Sequence, residues 1–113
     1  MKFANRRISA EYNRLYALLD GIDANQLAAA IPLIQNSAFM KVTLDDLQMQ
    51  IASEGVSEQY QNGENQKGVK QSAAIQAYNS LIKNYASVTK MLFALLPKSV
   101  AESRLAAFMA DNE

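Results

Sequence analysis

The chain has 113 residues, half of them hydrophobic, with only four glycines and two prolines, so it is long enough for one modest core and is neither disordered nor fibrous. It contains no cysteine and no histidine, which removes disulfides, thiolate metal sites, the usual zinc ligand and the usual general base. Eleven acidic and eleven basic residues give a net charge of zero, and with it no general attraction to a polyanion.

The charges are not evenly spread. Residues 1–19 carry +3, residues 20–64 carry −6 and residues 65–104 carry +5. Blocks of opposite sign either complement each other within a helical pair or leave one positive surface for nucleic acid or an acidic partner. No uninterrupted apolar run approaches the roughly 20 residues needed to cross a bilayer. The basic start, Met1-Lys2-Phe3-Ala4-Asn5-Arg6-Arg7, lacks the apolar block of a signal peptide. A cytoplasmic protein with no membrane partner is the expectation.

In chain order, the first element predicted is a helix from Ser9 to Leu19 within an N-terminal segment of residues 1–22. Ile8, Tyr12, Leu15, Tyr16 and Leu19 make one apolar stripe, Ser9 serves as N-cap and Asp20-Gly21 stops the helix. Such a short helix needs a surface to dock on. The second element, residues 23–55, starts at a cap of Asp23 or Asn25. It carries Leu27, Ile31, Ile34 and Ala38 on one face, and Pro32 inside it predicts a kink. Its apolar phase then shifts to Met40, Leu44, Leu47 and Ile51. One bent helix presenting two faces to two neighbours accounts for the shift; so does a break at Lys41-Val42, with Thr43 and Asp46 capping a new helix. Glu54-Gly55 closes the element, with Gly55 in the left-handed conformation.

Residues 56–71 are polar and contain Asn62-Gly63, the favoured two-residue hairpin turn, which predicts a mobile arm or short ribbon. Residues 72–96 hold the strongest signal. Ile75, Tyr78, Leu81, Ile82, Tyr85, Val88, Leu92, Leu95 and Leu96 recur at three- and four-residue steps, predicting one long helix ended by Pro97. Residues 97–113 form a last helix with Leu105, Phe108 and Met109, and a tail. The fold class expected is all-α: a long antiparallel helical hairpin with a polar, β-ribbon-like arm and short packing helices, in an oligomer.

Little here suits chemistry. Asp45-Asp46 is the only adjacent carboxylate pair, and on a helix the two point about 100° apart, so they suit a first turn better than a shared metal site. Gly63 to Gly68 lacks the strand and the Gly-Lys-Ser/Thr ending of a phosphate loop. The serines have no histidine to activate them. A non-enzymatic protein without metal or cofactor is the expectation. Candidate phosphate contacts are Lys67 and Lys70 on the arm, Lys83 and Lys90 seven apart on the long helix, and a second cluster of Arg6, Arg7 and Arg14. The apolar surface of the long helix is wider than one partner helix covers. Ile75, Tyr78, Ile82, Tyr85, Leu92 and Leu96 are therefore candidate positions for a homo-oligomer interface.

From Asp23 onward the layout resembles the small subunit of tailed-phage terminases, in the family built on a central helical hairpin. The likeness lies in a long helix closed by Ala52-Ser53-Glu54-Gly55 and a polar segment with Asn62-Gly63. It continues through the lead-in Lys70-Gln71-Ser72-Ala73 and the ending Leu95-Leu96-Pro97, followed by Ser103-Arg104-Leu105. The family usually starts its second helix with Asn-Pro, where this chain has Ser72-Ala73. The family's Gly-Leu-Ser/Thr-Pro turn is replaced by Ala94-Leu95-Leu96-Pro97, with Arg104 further on. The resemblance implies a non-enzymatic, ring- or dimer-forming component of a DNA-packaging motor, engaging duplex DNA and the large terminase subunit that holds the ATPase and nuclease.

Overall fold

The computed structural model describes residues 5–54, 57–61 and 67–110. Four helices, α1 (Arg6–Leu18), α2 (Ala24–Glu54), α3 (Ala73–Phe93) and α4 (Lys98–Ala110), make an all-α protein. Between α2 and α3, strands β1 (Ser57–Gln61) and β2 (Lys67–Gln71) pair antiparallel, from Ser57 opposite Gln71 to Gln61 opposite Lys67. The Asn62-Gly63 turn and Gly55 lie outside the described residues.

The helix α1 begins earlier than its apolar spacing predicts. Asn5, not Ser9, is the N-cap: its Oδ1 accepts from the backbone N–H of Arg7 at 2.8 Å and of Ile8 at 3.3 Å. Ser9 instead donates its own N–H to the Asn5 carbonyl, inside the first turn. At the other end Gly21 has φ 114°, a left-handed value that lets the chain reverse; a Cβ there would only touch Leu96 and Pro97.

A side chain from the far end of the sequence secures this turn. Arg104 on α4 donates from Nη1 to the carbonyls of Leu18 at 3.0 Å and Asp20 at 2.7 Å, serving oxygens that have no partner within α1.

The Asp23 carboxylate accepts from the Asn25 N–H at 3.1 Å and caps α2. The helix then runs unbroken for 31 residues, about 46 Å at 1.5 Å per residue, with exposed Pro32 inside it. The new start at Thr43 and Asp46 is not there. Asp45 and Asp46 lie deep within α2 rather than in a first turn, and different cations take them up. Lys41 Nζ meets Asp45 at 2.6 Å, and Arg7 Nη1 meets Asp46 at 2.7 Å. The shift in apolar phase has a structural cause, since α2 lies between α1 and α3 and is buried on more than one side. By length and composition alone α2 would pass for a membrane-crossing helix. Gln35 and Asn36 interrupt any purely apolar run, and Ile34, Ala38 and Leu44 are used in the core.

Ser72 caps α3, its buried hydroxyl accepting from the N–H groups of Ala74 and Ile75 at 3.1 and 3.3 Å. The helix stops at Phe93, three residues short of the predicted end. The N–H groups of Leu95 and Leu96 turn to three-residue steps, bonding Leu92 and Phe93, because Pro97 disfavours the α conformation before it. The Pro97 carbonyl then accepts from Val100 and Ala101 at 3.0 Å and starts α4.

The core joins all four helices: Leu15 and Leu19 near α1, Ile34 and Ala38 on α2, Leu92 and Phe93 on α3, and Phe108 on α4. Tyr12 stacks on Tyr16 with ring centroids 5.8 Å apart. Burial first, and the Tyr16 phenol second, raise the Tyr12 pKa above its ordinary value of 10.0. A raised pKa in the folded state means that the neutral phenol stabilises the fold. That contribution is whole below about pH 10 and is lost as pH rises through the folded value. Denaturation midpoints followed from pH 8 to 11 are expected to fall less in Tyr12→Phe than in wild type; parallel curves would contradict this.

Candidate functional site

Phe108 is the only buried side chain of α4. Its ring sits 5.3 Å from that of Phe93 and 6.4 Å from that of Tyr85, and the Arg14 guanidinium lies 4.5 Å over its face. With one deep anchor, α4 stands off α3, and between the two helices runs an open groove of about 700 Å³. Its floor is Ile82, Tyr85, Phe93 and Phe108. Leu105 and Met109 form its α4 edge, with Lys90 and Glu102 on opposite sides. Leu105 is 38% and Met109 60% exposed, so the edge presents apolar side chains to water.

The cations predicted to touch phosphate separate into two groups. Arg14 is taken up inside the protomer. Its Nε and Nη2 grip both oxygens of Glu11 at 2.9 and 2.8 Å, and Nη1 reaches the Phe108 carbonyl at 3.2 Å. It is a tie between α1 and α4. Arg7 pairs with Asp46, both side chains about half exposed, and Arg6 is exposed beside it in sequence. On α3, Lys83 and Lys90 are exposed and have no ion-pair partner among the described residues. Lys67 and Lys70 belong to β2, opposite Gln61 and Glu58 in the ladder.

Compared with family models, curated proteins and solved structures, the chain matches none.

The candidate interface positions divide too. Leu92 is 0% exposed, and Leu96 and Tyr85 are also buried, all three in the protomer's own core. Leu92 and Leu96 offer no surface to a second chain, while Tyr85 keeps only a narrow edge on the groove floor, because the other helices together cover more of α3 than a single antiparallel partner would. Ile75, Tyr78 and Ile82 are half-buried; Tyr78 accepts a hydrogen bond from Gln48 Nε2 at 3.1 Å, and Ile82 lies in the groove.

Sequence reading missed the α4 side of the groove and the structural task of Arg104. Leu105 and Met109 do stand four apart after Ala101, which is a stripe signal. Ala106, Ala107 and Ala110 surround that stripe with weakly apolar positions and blur its direction. Among the described residues no three acidic side chains gather to hold a metal ion.

Proposed function

We propose that the chain is a non-enzymatic, oligomeric helical adaptor of the terminase small-subunit kind, a cytoplasmic protein that engages duplex DNA and a large motor subunit. In it α2 and α3 are the arms of an antiparallel hairpin, β1–β2 is its polar ribbon, and Lys67, Lys70, Lys83 and Lys90 face phosphate. The observation that carries this is α3 itself, one unbroken 21-residue helix with Lys83 and Lys90 exposed and unpartnered by any described acid, directly after a strand that holds Lys67 and Lys70. Contacts of this sort position a protein on the backbone of DNA without reading bases.

The test is retention of a labelled duplex by the full chain across a salt series. The expected result is affinity that falls steeply with salt, with the slope reduced by about 1 per protomer in Lys83→Glu. An assembled protein that retains no duplex at low salt would overturn the DNA half of this function. A second function, a protein-only interaction module, is favoured by the ion pairs Arg7–Asp46, Arg14–Glu11 and Lys41–Asp45, which take up cations inside the protomer.

A further inference from the structure

We propose that the α3–α4 groove is the seat of α4 from a second copy of this chain, and that Lys90 of each copy faces Glu102 of the other across it. The inference rests on the oligomeric half of the function proposed above and gives it a location. A groove of about 700 Å³ with a mostly apolar lining can accept the apolar edge of a helix. The edge of α4 has that shape and chemistry, with Leu105 and Met109 exposed on it. Placing this edge in the groove of a second copy sets Leu105 and Met109 over Ile82 and Phe93. By symmetry the same contact forms twice, giving a four-helix packing in which α3 and α4 of one copy alternate with α3 and α4 of the other around the bundle.

The charges select a second copy over another helical partner. One side of the groove carries Lys90 on α3 and the other carries Glu102 on α4. Both side chains are exposed, and neither has an ion-pair partner among the described residues. A two-fold axis that sets α4 of one copy beside α3 of the other brings Lys90 against Glu102 twice, so the surface is complementary to itself. In this packing Lys90 leaves the phosphate strip, and Lys83, Lys67 and Lys70 remain.

The test uses the full chain with Lys90→Glu and Glu102→Lys, made separately, and sedimentation as the readout. Each variant alone places like charges opposite twice and is expected to self-associate roughly tenfold more weakly than wild type. An equimolar mixture of the two restores both attractive pairs and is expected to recover wild-type association. Met109→Lys, at an exposed position, is expected to weaken association and not to recover on mixing. Helicity by circular dichroism should be unchanged in all three. If wild type assembles but the single reversals do not weaken it, or the mixture fails to recover, the groove is not the contact, while an oligomeric adaptor survives. A wild-type chain that stays monomeric at every concentration would remove both.

Discussion

Leu92→Ala is expected to lower the stability of the single protomer by about 2–5 kcal/mol, the range for emptying a fully buried leucine site. Leu92 has no exposed surface and packs in the cluster that joins Leu15, Ile34 and Phe93. Its loss removes the transfer free energy of three carbon atoms and leaves a void that four helices meeting there can only partly close. The periodicity of α3 places Leu92 equally well on an oligomer surface, and the two roles give different results. A core position shows a urea midpoint lowered by the same amount at every protein concentration. An interface position would show weaker association with the protomer's own stability kept. Unchanged stability in Leu92→Ala would mean that the four-helix core is wrongly drawn.

Phe108→Ala is expected to cost about 3 kcal/mol or more, and to act locally. Phe108 is the only side chain that α4 buries, and the Arg14 guanidinium, Phe93 and Tyr85 all converge on its ring. Without it, α4 keeps only Arg104 on the carbonyls of Leu18 and Asp20, Arg14 on the backbone carbonyl at position 108, and the half-buried Val100 and Ala101 at its start. Hydrogen exchange is the direct readout. Protection across residues 98–110 should drop close to that of an open chain, while residues 30–44 of α2 keep most of theirs. Equal loss in both segments would mean that α4 is an integral part of the core rather than a helix held at one point. Because α4 forms one wall of the groove, the same substitution is expected to abolish self-association.

Much of this architecture is legible in the residues. The three- and four-residue steps from Ile75 to Leu92 are those of a helix, and the structure has one there. Asp20-Gly21 reads as a stop and Gly21 adopts the left-handed conformation that makes it one. Asp23 reads as a cap and caps α2. The changing apolar phase of α2 is compatible with a break or with two neighbours, and only the neighbours decide: α1 on one side and α3 on another.

What was not legible depends on contacts between residues far apart in the chain. Asn5 displaces Ser9 as cap because its carboxamide reaches two N–H groups at once, a choice between two good cap formers that local preference leaves open. Arg14 looks like any surface cation in sequence; it is Phe108, ninety-four residues later, that turns it inward. The apolar width of α3 does signal that more than one helix covers it. How much of that cover comes from α1, α2 and α4, and how much is left as a groove, is a matter of packing that no window of sequence contains.

Folding closes the core yet leaves Ile82, Leu105 and Met109 on one open groove, the proposed seat of a second copy of the chain. Sedimentation equilibrium of the full chain over a wide concentration range tests it most directly. A mass that is an even multiple of the protomer, falling toward the protomer only on dilution, is the predicted result. A single protomer mass throughout would contradict it.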